Sequence, residues 1–421
     1  MEKKISKIIT DSWAERGYLS LKEYIQAGGF SFIEKILSGK LSTDKIIREI
    51  EKSGLQGRGG GGFSTSQKWL SVKKEVAGLN SSETTSRVRA YFICNADESE
   101  PGTYKDRLII EKSPFLVLEG LIIGAWATGA NVGFIYVNNN YRETSAILRK
   151  CLQDLKREGL LGNKIKGSNF SLKIKVFEGA GSYVCGEETA LINSIEGKRG
   201  EPKLKPPYPA QKGLFGKPTV VNNVETLANV PFILQEGGQK FRLLGRSENS
   251  FGLKLFSLNG SLNRAGLYEA PMGITLRELL EDYGGGITKG KKIKCIQIGG
   301  DAGNLYTKKD LDRPLGYGKD EISIGSGTIL VVDDSVDLST LLLSWSAFFR
   351  RESCGKCVPC REGTYQLYLL AERIAKKKTL PEDKEKLEDI IFTMQRASFC
   401  PFGKFAVNAW SDALKLFPKE I

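Results

Sequence analysis

The sequence of 421 residues contains no histidine. Without an imidazole, the chain cannot use histidine as a general base, as a zinc ligand or as one of the two histidines of a Rieske iron–sulfur centre. Any catalytic mechanism must therefore use lysine, carboxylate, tyrosine or cysteine side chains, or a bound cofactor.

The sequence also lacks an apolar run that is long and uninterrupted enough to span a membrane. Its most apolar region, Phe115 to Val137, contains Glu119, Asn131 and four glycines. We interpret this region as a buried helix from Pro114 to about Thr128, followed by a strand from Val132 to Val137. Direct membrane insertion is therefore not expected.

Basic residues outnumber acidic ones, and the formal net charge is +13. No long basic run alternates with aromatic residues, so nucleic acid is not an expected partner. We interpret the excess as a lysine-rich, solvated surface whose positive field can attract an anionic dinucleotide. Residues 1–20 are charged and mixed in character, which predicts no cleavable signal peptide.

The pattern of strand-like and helical runs changes twice along the sequence, which predicts three domains. In residues 1–240 a helical extension is followed by alternating strand-like and helical runs, which is typical of an α/β fold with a parallel, Rossmann-like sheet. Within this part, residues 201–218 are rich in proline and lysine and predict a long ordered loop. Residues 241–333 predict a compact α+β unit, and residues 334–421 predict a bundle of four amphipathic helices.

The periodicity of apolar residues gives the expected elements. The predicted strands are Arg89–Ala96, Val132–Val137, Ser171–Phe177, Leu253–Leu258, Lys294–Ile298 and Thr328–Val332. The predicted helices are Ser31–Leu37, Ser42–Ile50, Pro114–Thr128, Glu143–Gly159, Thr275–Tyr283, Leu338–Arg351, Glu362–Lys377, Pro381–Arg396 and Lys404–Leu416, with one more ending near Gly197.

Three cysteines follow the spacing C-x-x-C-x-x-C: Cys354, Cys357 and Cys360. Such spacing lets one tight loop direct three thiolates to three corners of a cubane, and Cys400, which precedes a proline, can supply the fourth. Nearby cations would offset the negative charge of that site; they are Lys356, Arg361 and Lys404. We therefore predict a [4Fe–4S] cluster.

A zinc knot with four thiolate ligands is the alternative for these cysteines. Zinc usually takes two C-x-x-C pairs, whereas the pattern here is three plus one, which favours iron and sulfur. A zinc-stabilised binding module without catalysis is therefore the second hypothesis, and iron analysis with a visible spectrum separates the two. The remaining cysteines are isolated and predict buried apolar thiols; they are Cys94, Cys151, Cys185 and Cys295.

Two glycine-rich segments predict a nucleotide or flavin site. Gly179–Glu188 follows a predicted strand and precedes a predicted helix, which is the context of a phosphate-binding turn. It is not a P-loop, because Glu187 and Glu188 stand where lysine and serine or threonine are needed, and it misses the G-x-G-x-x-G spacing. A plain turn is its alternative. Gly57–Gly62 has five glycines in six positions and leaves few Cβ atoms to obstruct a planar ring.

Charged and aromatic residues beside these loops extend the predicted site. Lys68 can contact a phosphate or the edge of a flavin ring, and Phe63 can stack on an aromatic ring or fill the core. Asp97, Glu98 and Glu100 share one short turn and cannot all be paired there, so at least one is expected to face a ligand.

Five segments of the sequence resemble the flavoprotein subunit of NADH:quinone oxidoreductase, respiratory complex I. They are Gly57–Phe63, Asn95–Gly102, Gly186–Leu191, Gly200–Lys203 and Glu352–Cys357. The resemblance covers most of the chain and implies an FMN domain of Rossmann-like form, a ubiquitin-like β-grasp domain of the soluble-ligand-binding (SLBB) type, and a C-terminal four-helix bundle that binds the cluster. Two departures are Ser64, where a proline is usual, and Ser71, where some relatives carry a second aromatic residue, so adenine stacking is expected to be weaker.

The resemblance also implies a role for each matching residue. NADH would approach Glu100 and Glu188, with Phe63 and Tyr208 flanking the adenine and Lys205 nearby. The expected catalytic residues are Glu98 and Glu188. The residues expected to contact FMN are Gly57, Arg58, Gly59, Gly60, Lys68, Asn95, Asp97, Glu98, Tyr183, Gly186, Glu187, Glu188, Val221, Asn222, Asn223 and Thr226.

The implied activity is NADH dehydrogenation: NADH gives a hydride to FMN, and single electrons pass to the [4Fe–4S] cluster. The implied partners are a thioredoxin-like [2Fe–2S] subunit and a large iron–sulfur subunit, with quinone as the destination. The implied location is peripheral, on the cytoplasmic side of the inner (plasma) membrane. A diaphorase subunit of an NAD-linked hydrogenase or formate dehydrogenase is the redox alternative. Such chains often carry extra cysteine-rich domains, and the lack of cysteines after Cys400 favours the respiratory subunit.

Overall fold

The computed structural model describes residues 7–13, 18–78 and 88–421. The predicted strands and helices named above fall within these ranges, whereas residues 1–6 and 14–17 of the predicted N-terminal extension lie outside the described residues. Among the helices of this described part, none is long and apolar enough to cross a membrane.

The first sheet has four parallel strands in the order β3–β2–β1–β4. The strands are β1 Tyr91–Ala96, β2 Val132–Asn138, β3 Lys173–Gly179 and β4 Thr219–Asn223. Most residues of β1 and β2 are buried, as expected for parallel strands covered on both faces. β1 pairs with β2 on one side and β4 on the other, so the direction of strand addition reverses between β1 and β4.

Helices and short helical turns connect and cover these strands. They are Thr10–Ser12, Leu21–Gln26, Ser31–Leu37, Thr43–Ser53, Thr65–Ala77, Lys105–Lys112, Pro114–Thr128, Arg142–Arg157, Ile165–Gly167, Tyr183–Gly186, Glu188–Ile195, Pro209–Lys212, Leu214–Gly216, Val224–Ala228, Val230–Glu236 and Gly238–Arg242.

The helix Pro114–Thr128 is buried along nearly its whole length within the largest hydrophobic cluster. It begins with its proline and ends at Gly129, whose φ of 78° is the left-handed conformation that terminates many helices. The one carboxylate of the helix, Glu119, accepts hydrogen bonds from the Tyr24 hydroxyl at 2.5 Å and the Phe30 N–H at 2.9 Å. The prediction of a buried helix in place of a membrane span is confirmed.

The second sheet has five strands in the order β6–β5–β11–β7–β8. β5 and β11 are parallel, and the other pairs are antiparallel. A helical segment, Leu276–Glu278 continued by Leu279–Tyr283, lies between β6 and β7 in the chain. The strands of this part, including the small pair β9–β10, are β5 Leu253–Gly260, β6 Gly266–Pro271, β7 Ile293–Ile298, β8 Asn304–Tyr306, β9 Leu315–Gly316, β10 Ile322–Ser323 and β11 Thr328–Asp333.

The C-terminal part is helical and shares a core with the second sheet. Its helices are Leu338–Glu352, Val358–Ala375, Asp383–Ala397, Pro401–Phe405 and Asn408–Leu416. Cys295 of β7 and Leu305 of β8 belong to the same hydrophobic cluster as Trp345 and Trp410 of these helices. The Trp410 indole N–H donates to the Ser346 hydroxyl at 3.0 Å, which satisfies its buried donor.

Several boundaries differ from the prediction. The predicted helix Lys404–Leu416 is two helices, with Ala406 and Val407 between them. The predicted helix Glu362–Lys377 starts earlier, at Val358, because a proline fits its first turn. The predicted loop 201–218 contains two short helical turns, and β4 directly after it was not predicted. Only two of the five residues of β4 are apolar, Val220 and Val221, so no strand-like run stands out in the sequence.

Candidate functional site

The predicted site residues gather where β1 and β4 end. Asn95, near the end of β1, pairs directly with Asn223, the last residue of β4. Ligands of open parallel sheets bind outside the carboxyl ends of the strands, where the strand order reverses. In this sheet that position is the crevice between β1 and β4.

The glycine loop Gly57–Gly62 borders this crevice. A Cβ on Gly59 would stand 3.1 Å from the Cβ of Asn223, a distance that would force one of them to move. Gly60 has a φ of 117°, which side chains rarely permit. The Tyr317 hydroxyl donates to the carbonyl of the first glycine at 3.2 Å. The loop is therefore a fixed surface made largely of backbone.

Arg58 of this loop is fully buried. Its guanidinium donates to the carbonyls of Phe251 at 2.5 Å, Leu253 at 3.2 Å and Gln56 at 3.4 Å. Its backbone N–H donates to the Thr226 hydroxyl at 2.9 Å, and burial lowers the pKa of the guanidinium. The side chain therefore ties the glycine loop to the start of β5.

Glu188 lies between two lysines at the start of the helix Glu188–Ile195. Its two oxygens are 3.2 Å from Lys68 Nζ and 2.7 Å from Lys205 Nζ, and Lys68 also donates to the Val221 carbonyl at 3.0 Å. Burial by itself would raise the pKa of Glu188, but the two ammonium groups outweigh it and the pKa is lowered. Glu188 is therefore a fixed anion at the crevice.

The turn before this helix is held by its neighbours. Glu187 is the N-cap, and its carboxylate accepts from the N–H groups of Thr189 at 2.9 Å and Ala190 at 3.0 Å. The Asn95 amide donates to the Gly186 carbonyl at 2.9 Å. The second glycine-rich segment is thus fastened to the end of β1.

Glu98 serves as a cap for another helix. Its carboxylate accepts from the N–H groups of Asp106 at 2.9 Å and Arg107 at 3.0 Å, at the start of the helix Lys105–Lys112. The Tyr141 hydroxyl donates to its carbonyl at 2.7 Å. Burial, together with the Asp106 carboxylate, raises the pKa of Glu98. Both of its oxygens are therefore engaged by the protein.

Asp97 differs from its neighbour. Both of its carboxylate oxygens are buried, and neither has a hydrogen-bond partner in the part of the chain that the structure describes. Burial, and then the charge of Glu352, raise the pKa of Asp97 to about 7. Buried polar atoms are nearly always satisfied, so this carboxyl group is suited to a ligand that offers hydroxyl donors.

Glu100 and Asp301 bring the two sheets together at the crevice. The Tyr183 hydroxyl donates to Glu100 at 3.2 Å, and a Cβ on Gly300 would stand 2.1 Å from the Glu100 carboxyl carbon. Burial raises the pKa of Glu100 to about 7. Burial, and then Glu100, raise the pKa of Asp301 to about 7 as well. No motif in the sequence marks Asp301.

Two expected aromatic contacts lie outside the core. Phe63 is 56% exposed and Tyr208 is 54% exposed, so Phe63 is not a core residue. Lys68 Nζ lies 6.0 Å from the centre of the Phe63 ring. The Ser71 hydroxyl donates to the Gln67 carbonyl of its own helix at 2.8 Å.

The four predicted cluster ligands are neighbours. Burial, and then the charges of Cys357, Cys400 and Cys354, act on the thiol of Cys360 and raise its pKa to about 12. The prediction of a single loop for the first three is wrong in one respect, because Cys360 lies in the first turn of the helix Val358–Ala375. Proline at the second helical position allows the helix to start before it.

Backbone N–H groups point at these sulfurs. The Phe399 N–H lies 3.5 Å from Cys357 Sγ. Cys400 is the N-cap of the helix Pro401–Phe405, and the N–H groups of Phe402 and Gly403 oppose the rise that burial causes in the pKa of its thiol. Within the described ranges, no three cysteine or carboxylate side chains are grouped so as to hold a single metal ion. The four other cysteines are buried, as predicted.

The cysteine segment, Cys354–Cys360, is hydrogen-bonded to residues 199–202, which follow the helix Glu188–Ile195. Arg199 donates to the Cys354 carbonyl at 2.6 Å. Lys356 donates to the Pro202 carbonyl at 2.8 Å and lies 3.2 Å from the Glu201 carboxylate. Lys356 therefore lies beside the cysteines, as predicted from the sequence, and also forms an ion pair with Glu201.

A set of buried charges that no sequence pattern indicated lies behind the crevice. Lys105, Asp106, Glu225 and Lys254 are all nearly or fully inaccessible. Isolated charged residues in a sequence are normally interpreted as solvated, so only the fold reveals them. Asn222, one of the expected flavin contacts, is held by the protein, because its amide oxygen accepts from the Trp69 indole N–H at 2.8 Å.

Comparison with known proteins gives two family matches. Residues 50–232 match the Nuo51 FMN-binding domain, and residues 340–421 match the NADH-ubiquinone oxidoreductase-F iron-sulfur binding region. The F-subunit of NADH-quinone oxidoreductase in Aquifex aeolicus is 44% identical over 95% of this chain and 90% of its own length. The corresponding proteins of Escherichia coli and Mycobacterium tuberculosis are 41% and 40% identical, over 95% and 97% of this chain and 88% and 90% of their own lengths.

The chain belongs to the family of F-subunits of NADH-quinone oxidoreductase.

Membership in this NADH-quinone oxidoreductase family confirms several predictions. The matched domains bear out FMN and a [4Fe–4S] cluster as the cofactors, and the relatives bear out an NADH dehydrogenase flavoprotein subunit. A solved NAD+-reducing [NiFe]-hydrogenase in the H2-reduced state is similar in structure, with a TM-score of 0.80 and 35% identity over 90% of this chain. The match spans 62% of that hydrogenase chain. The redox alternative is thus a related family.

Proposed function

We propose that this chain accepts a hydride from NADH on FMN bound in the crevice between β1 and β4, and passes single electrons to a cluster bound by Cys354, Cys357, Cys360 and Cys400. The observation that carries the proposal is the direct connection between the two sites. The Tyr183 N–H, at the crevice, donates at 3.0 Å to Glu352, which lies two residues before Cys354.

The crevice suits a flavin. The loop Gly57–Gly62 offers a surface with few Cβ atoms, and a Cβ on Gly59 would be in tight contact with Asn223. Asp97 has buried acceptors without a partner among the described residues, which the hydroxyls of a ribityl chain would satisfy. Arg58 would contribute its backbone, since its guanidinium is bonded to carbonyls of the protein.

FMN, when bound, supplies the conversion of a two-electron hydride into single electrons. The chain positions the reactants, so that the nicotinamide and the flavin meet in reactive geometry. No histidine is required for this step. We assign the flavin contacts to Gly57, Arg58, Gly59, Gly60, Lys68, Asn95, Asp97, Tyr183, Gly186, Glu187, Glu188, Val221, Asn222, Asn223 and Thr226, and we assign Glu98 an indirect role, because both of its carboxylate oxygens are bonded to the protein.

The entrance of the crevice carries charged and aromatic side chains that suit NADH. Glu188 stays ionised between its lysines and can accept hydrogen bonds from nucleotide hydroxyls, while Lys205 lies beside the path of the phosphates. The exposed rings of Phe63 and Tyr208 are free to stack on the adenine. We assign Glu100 to the same entrance, as a further contact for NADH. Of the two carboxylates expected to be catalytic, Glu188 would touch the reactants and Glu98 would hold the turn of Asp97.

The cysteine site suits a cubane. Cys360 and Cys400 lie at the starts of two helices, Cys354 and Cys357 precede the first of these helices, and backbone N–H groups point at the sulfurs of Cys357 and Cys400. Such N–H groups stabilise thiolates and clusters of net negative charge.

We also propose the finer architecture. The strand order β6–β5–β11–β7–β8, with one helical segment after the first hairpin, supports a ubiquitin-like β-grasp domain of the SLBB type. The three long helices and the two short ones support a four-helix bundle in which the short pair acts as one member. The proposed domains are residues 1–240, 241–333 and 334–421.

The proposed partners are a thioredoxin-like [2Fe–2S] subunit and a large iron–sulfur subunit of the same complex. The names of the relatives, each a subunit of NADH-quinone oxidoreductase, support membership in such a complex. We propose that the chain is peripheral on the cytoplasmic side of the membrane, and that electrons move towards quinone through those partners.

Two substitutions test the nucleotide site. We expect Glu188→Ala and Phe63→Ala to raise the KM for NADH about tenfold, because each removes one good contact with the nucleotide. The measurement is NADH:ferricyanide reduction by the protein purified with its partner. Glu236→Gln, in an exposed pair with Lys240, is the control and should behave as the parent. Parent kinetics in both site variants would refute the pocket assignment.

A diaphorase subunit of a hydrogenase is the second candidate, favoured by the structural similarity to the NAD+-reducing enzyme. Identification of co-purifying subunits separates the two. A [NiFe] subunit and H2-dependent NAD+ reduction would favour the diaphorase, whereas quinone reduction would favour the respiratory subunit.

A further inference from the structure

A chain of buried charges runs from the second sheet to the crevice. Lys254 Nζ, on β5, lies 2.5 Å from Glu225, Glu225 lies 3.1 Å from Lys105 Nζ, and Lys105 Nζ lies 2.6 Å from Asp106. All four side chains are at most 7% exposed. Charges this deeply buried are tolerated only when each has a well-placed partner of opposite sign, so the four form one unit.

This chain of charges ends at Asn223. The Asn223 Nδ2 donates to Asp106 Oδ2 at 2.6 Å. Its Oδ1 accepts from Lys105 Nζ at 3.3 Å and from the Glu225 N–H at 2.9 Å. An ionised carboxylate can only accept and an ammonium group can only donate, so these contacts determine which end of the amide is nitrogen.

The orientation of the amide matters because its nitrogen borders the glycine loop. A Cβ on Gly59 would stand 3.5 Å from Asn223 Nδ2. One N–H of the amide is used by Asp106. The other N–H has no acceptor in the part of the chain that the structure describes, so it is available to the anionic and carbonyl oxygens of a flavin nucleotide, which require donors.

We propose that Asp106 is a positioning residue for the flavin site: by accepting one N–H of Asn223 it directs the other toward the bound flavin, and Lys105, Glu225 and Lys254 hold it in place. The inference rests on the proposed function, because it requires FMN in the crevice. It gives the second sheet a part in flavin binding through Lys254.

Asp106→Asn tests the proposal with almost no change in volume. The carboxylate of Asp106 has two acceptor oxygens, whereas the new amide has only one. Asn223 therefore loses its fixed orientation. We expect the FMN dissociation constant to rise about tenfold, measured by the flavin fluorescence released on dilution of the purified holoprotein. Asn223→Ala should have a similar effect, and the double variant should be no worse than Asn223→Ala alone. Glu111→Gln, on the same helix but bonded to Thr144, is the control and should retain parent affinity.

The exchange variant Asp106→Asn with Asn223→Asp separates positioning from folding. It interchanges carboxylate and amide, keeps the hydrogen bonds to Lys105 and the Glu225 N–H, and places a good N-cap residue at position 223. We expect its melting temperature to return to that of the parent while FMN affinity stays low, because a carboxylate would replace the amide donor at the crevice.

The outcomes are distinct. If Asn223→Ala weakens FMN binding but Asp106→Asn does not, or if the exchange variant binds FMN as the parent does, the positioning role is overturned. If Asn223→Ala itself leaves FMN affinity unchanged, the proposed flavin site is wrong. Should Asp106→Asn alone fail to fold, the exchange variant decides.

Discussion

At the scale of single residues, the carboxylates at the crevice have different electrostatic environments. Glu188 has a lowered pKa because two lysines flank it, whereas Asp97, Glu100 and Asp301 have pKa values raised to about 7, primarily by burial. Carboxyl groups with such separated pKa values are common in functional sites. Here they distinguish a fixed anion from groups that are neutral near pH 7 or below.

The raised pKa of Asp301 predicts a pH dependence of stability. The neutral form of Asp301 is favoured in the folded state. Its contribution to the free energy of unfolding is therefore fully present below about pH 4 and is lost as pH rises through about 7. We expect Asp301→Asn to raise the free energy of unfolding at pH 8 by roughly 1 kcal/mol and to leave it nearly unchanged at pH 4. Thermal unfolding of the two proteins across this range is the measurement. The exposed Asp320→Asn is the control, and a parallel shift at every pH would contradict the prediction.

Residue types and spacing indicated much of the site. The C-x-x-C-x-x-C pattern pointed to the three neighbouring cysteines, and the acidic turn pointed to Asp97, Glu98 and Glu100. The partners of these residues were not predictable, because they come from distant segments. Asp301 approaches Glu100, and Glu225 joins Lys254, only because the second sheet packs against the first.

At the scale of elements, Glu98 acts on a whole helix. Its carboxylate satisfies two N–H groups at the start of the helix Lys105–Lys112, which otherwise lack intrahelical acceptors. The turn that carries Asp97 is thereby joined to the helix that carries Lys105 and Asp106.

Loss of this cap should destabilise the protein. We expect Glu98→Ala to lower the free energy of unfolding by about 0.5–2 kcal/mol, the range measured for helix caps. Urea denaturation of the holoprotein measures it. Glu143→Ala, an exposed residue in the first turn of the helix Arg142–Arg157, should change stability little. An equal effect of both substitutions would argue against a special role for Glu98.

Length did not decide which elements were predictable. The short elements at Ser31–Leu37 and Lys294–Ile298 were predicted, whereas the 13-residue helix Thr65–Ala77 was not. The helix Pro114–Thr128 matched its prediction because a proline and a glycine mark its ends. β4 and the split between Pro401–Phe405 and Asn408–Leu416 were missed. Their lengths are set by packing against neighbouring elements, which local sequence does not record.

At the scale of the whole molecule, the three parts meet at one place. The carboxyl ends of β1 and β4, the Gly300–Asp301 loop of the second sheet and the cysteine segment all contact the crevice or its immediate neighbours. The alternation of strands and helices predicted the first sheet, but no local pattern predicted that the cysteine segment would be bonded to residues 199–202. Under the proposed function, this contact would connect the site of hydride acceptance to the site of single-electron transfer.

The central claim is that electrons from NADH leave the flavin through the four-cysteine cluster of the same chain. Electron paramagnetic resonance of the NADH-reduced protein tests it most directly, with Cys400→Ser as the variant and Cys295→Ser, a buried cysteine away from the four, as the control. The account predicts a reduced [4Fe–4S] signal in the parent and the control. It predicts loss of that signal in Cys400→Ser, while NADH still bleaches the flavin absorbance. A signal that persists unchanged in Cys400→Ser, or a parent protein that contains zinc and no iron, would contradict it.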